Sequence, residues 1–128
     1  LRTIKKYQNR RLYDTQQSTY VTLETIREMI TRGEEFCIID AKNASDVTHY
    51  VLLQIIGERE TQSGNSMLSK ELLANLIRFY GDSLQGVMGE YLEDSVNRFL
   101  EKEGQLREQM HSVLEPRSSV APEDSPKH

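Results

Sequence analysis

An α+β fold is expected for the first 60 residues, with a helical region after it, and three observations predict this. β-prone runs rich in branched and aromatic residues come first, at Ile4–Tyr7, Arg11–Tyr13 and Thr19–Thr22. Two segments of helical period then flank the short continuous apolar run Phe36-Cys37-Ile38-Ile39. Beyond the polar stretch Thr61-Gln62-Ser63-Gly64-Asn65-Ser66 the strand signals stop and only helical periods remain.

Ile4 to Tyr7 and Arg11 to Tyr13 read as two strands around a Gln8-Asn9-Arg10 turn, with Asn9 suited to the left-handed conformation such turns need. Thr19-Tyr20-Val21-Thr22 is a third strand. Thr22 is expected to cap a helix whose first turn holds Glu24, facing the positive end of the helix dipole. Leu23, Ile26 and Ile30 give that helix one apolar face, and Gly33 ends it. The Phe36–Ile39 strand is closed by the turn-rich Asp40 to Asp46. A second helix from about Thr48 to Glu60 is expected to bury Val51, Leu52, Ile55 and Ile56. The resulting order is β-β-β-α-β-α.

After the polar linker, a helix carries Leu68, Leu72, Leu76 and Tyr80, widened by Leu73, Ile77 and Phe79. Gly81, Gly86 and Gly89 punctuate the chain. A long helix is expected from about Glu90 to Glu115, with Leu92, Val96, Phe99, Glu103, Leu106, Met110 and Val113 spaced 4-3-4-3-4-3. That is a heptad seam interrupted by Glu103 alone. Pro116 should stop it, leaving Arg117 to His128 as a disordered tail. The expected organisation is residues 1–60, 66–115 and 116–128.

Composition bounds the function. A chain of 128 residues with 37% hydrophobic content can build only a modest core. Mean hydropathy is −0.62, and the longest apolar run, Val51 to Ile56, is too short to span a bilayer. No secretory signal precedes the first charges, and the chain opens on Leu1, read as other than a native start. Cys37 is the single cysteine, so no internal disulfide forms and a reducing cytoplasm is expected.

Charge is the sharpest signal. The formal net charge is −4, yet Arg2, Lys5, Lys6, Arg10 and Arg11 all precede the first acid, Asp14. Residues 1–60 hold nine Lys/Arg and nine Asp/Glu, and residues 61–128 hold seven against eleven. A basic arm on an acidic protein implies an anionic partner, with nucleic acid the leading class. Lys5, Lys6, Arg10 and Arg11 are the expected phosphate or base contacts, with Asn9 and Tyr7 as candidate readers on a two-stranded ribbon of the kind that fits a major groove. Tyr7 and Tyr13 either stack on bases or pack locally, whereas Tyr20 is expected in the core. The rival use of such cations is to keep an edge strand from pairing.

Catalysis finds no support. His49, His111 and His128 are scattered without ligand spacing, Cys37 sits inside an apolar strand, and no phosphate loop or nucleophile elbow occurs. No metal or cofactor is expected. The seam residues Leu92, Val96, Phe99, Leu106, Met110 and Val113 are expected to drive homo-oligomerisation. Their alternatives are an amphipathic helix laid on a hydrophobic surface and a helix folded back on its own domain.

At this point the motifs carry a resemblance. Ile4-Lys5-Lys6-Tyr7-Gln8-Asn9-Arg10-Arg11-Leu12-Tyr13-Asp14-Thr15, then Ser18 to Leu23, Ile39 to Lys42, Asp46 to Thr48 and Val51 to Ile56, resemble the bacterial polyhydroxyalkanoate synthesis repressors. A proline usually stands in that family where this chain has Gln8. The resemblance spans roughly residues 3–60, and residues 66–105 look like the family's second segment. It implies a cytoplasmic repressor that binds double-stranded DNA at promoters of phasin and polymer-storage genes. It further implies release from DNA on binding polyhydroxyalkanoate polymer or a granule surface. The apolar stripe makes Leu72, Leu76, Phe79 and Tyr80 the expected polymer contacts. Competing roles are a granule-coating protein, an adaptor recruiting an acidic protein, and RNA binding.

Overall fold

The strand β1 (Arg2–Lys6) lies inside a four-stranded sheet of order β3-β2-β1-β4 in the computed structural model, which describes residues 1–62, 64 and 66–124, with 114–124 through their backbone alone. The neighbours are β2 (Leu12–Asp14), β3 (Thr19–Val21) and β4 (Phe36–Asp40). β1 pairs antiparallel with β2 and parallel with β4, and β2 pairs antiparallel with β3. The α+β expectation and the β-β-β-α-β-α order both hold.

Helix α1 (Leu23–Thr31) begins at Thr22, whose Oγ1 accepts from Thr25 N–H at 3.2 Å while Thr25 Oγ1 accepts from Thr22 N–H at 3.4 Å. It ends at Gly33, which takes φ 76° while Gly33 N–H donates to Ile30 O and Glu34 N–H to Met29 O. That bonding is a Schellman stop, and the left-handed residue explains the glycine. Helix α2 (Thr48–Thr61) is tied to β4 through Thr48 Oγ1, which accepts from Ile38 N–H at 2.8 Å. At its far end the Glu60 carboxylate accepts from the Met67 and Leu68 N–H groups.

The core consists of Ile4, Leu12 and Ile38 from the sheet against Ile26 and Met29 of α1 and Val51 and Ile55 of α2. Both helices therefore cover one face of the sheet, and its other face is open. The expected helical faces are corrected in detail. Met29 is fully buried while Ile30 is exposed, and Val51 and Ile55 are buried while Ile56 is exposed. A nine-residue helix crossing a small sheet presents only its i/i+3 pair, so the flanking apolar residues stay at the rim.

Among the described residues one charged group is fully buried. Asp14 accepts from Arg2 Nη2 at 2.6 Å and Arg2 Nε at 3.1 Å on one oxygen, and from the N–H groups of Gln16 and Gln17 on the other. Arg2 also donates to Glu34 at 2.7 Å. The Arg2 hydrogen bond holds the Asp14 carboxyl below the ordinary aspartate range, outweighing desolvation.

The chain divides into two compact units, Leu1–Ser69 and Lys70–His128. Of the expected linker, Ser63 and Asn65 lie outside the described residues. The second unit contains α3 (Lys70–Arg78), α4 (Gln85–Glu101) and α5 (Glu103–Asp124). Several expectations are corrected here. Leu68 precedes α3, and Phe79 and Tyr80 lie in the turn after it, which Gly81 closes at φ 84°. Gly86 and Gly89 fall inside α4, where a Cβ at either would meet open space. The expected single helix is split at Lys102, and Glu103, which interrupts the seam, is the first residue of α5 and pairs with Arg107 at 3.0 Å. An acid there is favoured by the helix dipole. The backbone stays helical past Pro116 as far as Asp124, against the ordinary helix-breaking preference of proline. Residues 125–128 of the expected disordered tail lie outside the described residues.

The buried carboxylate makes a testable prediction. Asp14→Ala strands the Gln16 and Gln17 donors and the Arg2 fork, and should lower unfolding free energy by about 2–3 kcal/mol in denaturant titration. Because the folded pKa of Asp14 is depressed, its contribution is present above the ordinary value of 3.8 and is lost as pH falls through the folded value. Below pH 4, wild type should lose stability more steeply than Asp14→Ala.

Candidate nucleic-acid interface

The β1–β2 connection is a three-residue loop. Tyr7 N–H donates to Arg11 O at 2.9 Å and Arg10 N–H to Tyr7 O at 2.8 Å, and Arg10 takes φ 65°. The left-handed residue is thus Arg10, not Asn9. Asn9 instead accepts from Arg11 N–H through its Oδ1 at 3.1 Å, bracing the loop from within. Gln8 takes the second position of the turn, which proline also favours, so the loop closes without one.

Pleating sorts the basic residues onto two faces. The register Lys5↔Tyr13↔Tyr20 and Lys5↔Ile39 forms a row across the open face. Lys6, paired with buried Leu12, points to the helix-covered side, where its Nζ lies 5.7 Å from the Tyr50 ring centre on α2. The expected ribbon carrying all the cations together is therefore divided: Lys5 and Arg11 on the open face, Lys6 on the opposite rim, Asn9 and Arg10 in the loop between them.

Tyr20 is corrected from the core to the surface, with 52% of its area exposed. Its ring meets Tyr13 edge-on, centroids 5.2 Å apart at 73°, and Arg11 places its guanidinium carbon 4.1 Å from the Tyr20 ring centre. Tyr13 is half-buried and Tyr7 is exposed. Among the described residues, Lys5, Lys6, Arg10 and Arg11 enter no ion pair, whereas Arg2 is held by Asp14 and Glu34. Four of the five cations of the arm are consequently free to meet an anion.

Parallel pairing adds a residue that the sequence did not nominate. It sets the ends of β1 and β4 side by side, and Ala41 N–H donates to Lys6 O at 2.8 Å. Lys42 then joins Tyr7, Gln8, Asn9 and Ala41 around an open cleft of about 500 Å³. Asp40 shapes this loop by accepting from the N–H groups of Lys42 and Asn43.

In the second unit, Leu76, Phe79 and Tyr80 line a cleft of about 180 Å³ together with Met88 and Leu92. Leu72 does not line it. Phe99, Leu106 and Met110 of the seam line another cleft with Glu103 and Arg107, and Val96 and Val113 are exposed.

The comparisons with known proteins follow this division. A family model described as the PHB/PHA accumulation regulator DNA-binding domain matches residues 3–63, and one described as the PHB accumulation regulatory domain matches residues 68–107. The chain belongs to the PHB/PHA accumulation regulators. An uncharacterized protein of Allochromatium vinosum is 46% identical over 105 residues, covering 82% of this chain and 68% of its own. A protein of Thiocystis violacea described as "uncharacterized protein in phbA 5'region" is 46% identical over 102 residues, covering 80% of this chain and 73% of its own. No solved structure matches.

In this regulator the first unit is the DNA-binding domain. No helix among its described residues is long and apolar enough to cross a membrane. Lys42 is not legible in the sequence because the sheet order, which decides the neighbours of each strand, is not contained in the periodicity of any single strand. The run Phe36-Cys37-Ile38-Ile39, apolar at consecutive positions, is the available hint of a parallel strand.

The loop separates stability from binding. Arg10→Gly relieves a left-handed residue, worth about 1 kcal/mol, while removing one cation. Its thermal midpoint should not fall below wild type, and its affinity for duplex DNA should drop.

Proposed function

We propose that the protein is a transcriptional repressor of polyhydroxyalkanoate storage and phasin genes, which binds double-stranded DNA through its first unit and leaves it when polymer occupies the second. The observation that carries this is the coincidence of a DNA-binding domain with four cations, in and flanking its first loop, that enter no ion pair among the described residues. Phosphates supply affinity to such a cluster, and a groove-reading side chain supplies sequence preference. The action is expected in the cytoplasm, where promoter and polymer are both present.

Self-association fits the second unit. Neither α3 nor α4 buries a residue, and Val96, Phe99, Met110 and Val113 are each more than half exposed. Helices of this kind need a cover. A second copy covering Leu92, Val96, Phe99, Leu106, Met110 and Val113 would also place two DNA-binding units on one duplex.

Polymer release follows from a shared residue. Leu92 belongs both to the seam and to the cleft of Leu76, Phe79 and Tyr80. A polyester carries apolar methylene and methyl groups and offers carbonyl acceptors, which suits two aromatic rings and the hydroxyl of the exposed Tyr80. Polymer seated there competes for Leu92 with the second copy, so it favours the state that binds DNA weakly, as coupling requires. Losing bivalent attachment lowers apparent DNA affinity by about 10²–10⁴-fold. A granule-coating role would leave the DNA-binding domain idle.

DNA upstream of the chain's own gene is the first target to test, given the relative described from a phbA 5' region. The double variant Arg10→Ala, Arg11→Ala should lose specific binding, and its log K against log salt slope should shrink by about one for each phosphate contact removed. Unchanged binding at moderate salt would refute the assignment. Separately, Phe79→Ala should retain DNA binding without polymer yet resist displacement when oligomeric 3-hydroxybutyrate is added. Equal displacement of both proteins would remove the cleft from the mechanism.

A further inference from the structure

Tyr20 has no assigned role, and its surroundings are specific. It stands on β3, the free edge of the sheet, on the open face, and Arg11 rests on its ring at 4.1 Å. Tyr13 supports that ring edge-on from the next strand. Beside them Arg10, Arg11, Leu12, Tyr20, Val21 and Thr22 border an open cleft of about 320 Å³. Apolar packing does not explain the arrangement, because Tyr20 is half exposed and lies on the face opposite the core.

Groove dimensions decide which part of the sheet meets DNA. A major groove about 12 Å wide admits two strands, about 4.8 Å apart with their side chains, and not four. β1 is flanked on both sides, so β1 and β2 cannot enter as an isolated pair. The β2–β3 edge can enter, and it leads with Arg11 and Tyr20. The strand residues of this face, Thr3, Lys5, Tyr13, Tyr20, Cys37 and Ile39, include no carboxylate. Asp46, opposite Ile39, lies at the far edge and accepts from Thr48 N–H. A second copy on this face would set cation against cation, whereas a nucleic acid would be attracted.

We propose that Tyr20 is a positioning residue that holds the Arg11 guanidinium ready to read a guanine edge in the major groove. This rests on the DNA-binding reading above and adds to it the element that enters the groove. A guanidinium stacked on an aromatic ring keeps its donor fork free in one plane, and guanine O6 and N7 accept that fork bidentately. Arg10, in the loop with no aromatic partner, is left to the phosphates.

The test uses the full chain, the duplex upstream of its gene, and a random duplex of equal length, titrated at one salt concentration and then across salt. Tyr20→Leu should weaken specific binding about threefold to thirtyfold, the range between exposed and desolvated cation–π contacts, with random-duplex binding and salt slope unchanged. Tyr20→Phe keeps the platform and should stay within about twofold of wild type. Arg11→Lys keeps the charge and should lose the preference for the upstream duplex while retaining the slope. An unchanged specific-to-random ratio in Tyr20→Leu, or Tyr20→Phe as weak as Tyr20→Leu, overturns the role of Tyr20 alone. A wild-type protein that does not distinguish the two duplexes overturns the DNA reading and this inference together.

Discussion

The first unit is organised by the double pairing of β1. Its antiparallel neighbour β2 follows within a few residues, but its parallel neighbour β4 arrives only after β3 and α1. Joining them sets the core, because Ile4 and Ile38 lie side by side under both helices. It also sets the surface, because pleat and register then send Lys5, Tyr13, Tyr20 and Ile39 to the uncovered face. A one-residue slip would exchange these rows, burying cations and exposing Ile4. Several features oppose that slip: the Arg2–Asp14 pair at one end, the Ala41–Lys6 bond at the other, and Thr48 gripping β4.

Electrostatics in this unit divides into structural and available charge. Arg2 and Asp14 are consumed by each other, with Glu34 as second acceptor. A buried pair of this kind adds little over an apolar replacement but is costly to break, so it enforces one geometry. The remaining cations around the first loop stay unpaired. That a chain of net charge −4 serves DNA is no contradiction, since charges beyond about 8 Å are largely screened at physiological ionic strength. What a phosphate meets is the local cluster, not the sum.

Local signals made much of the fold legible. Thr22 and Gly33 marked the ends of α1 because caps depend on one or two residues and their immediate backbone. The strands were legible because branched residues and turn residues alternate along a short stretch. Tyr20 was misplaced because an aromatic strand residue belongs equally well in a core or on an open face, and only the helices' choice of side decides. Lys42 depended on a pairing between strands about 30 residues apart. Lys102 was hidden because a heptad pattern persists through a break that keeps its spacing, although Glu103, an acid in an apolar seam, marked the place. Gly86 and Gly89 deceived in the opposite sense, since an exposed helix tolerates glycine at about 1 kcal/mol each when nothing packs there.

The second unit differs from the first in kind. The sheet unit closes a core of its own, whereas α3 and α4 expose the residues that a core would require. Helical propensity alone barely sustains segments of 9 and 17 residues in water, so their stability must come from what covers them. A surface that is incomplete by itself responds to whichever cover is present at the higher effective concentration. Leu92 is common to cleft and seam, so the covers proposed for the two would not be accommodated independently. Sensing by the proposed route would require no deformation of the sheet unit. On the proposed competition, DNA binding would weaken through loss of a partner copy while the Arg11–Tyr20 face stays as it is.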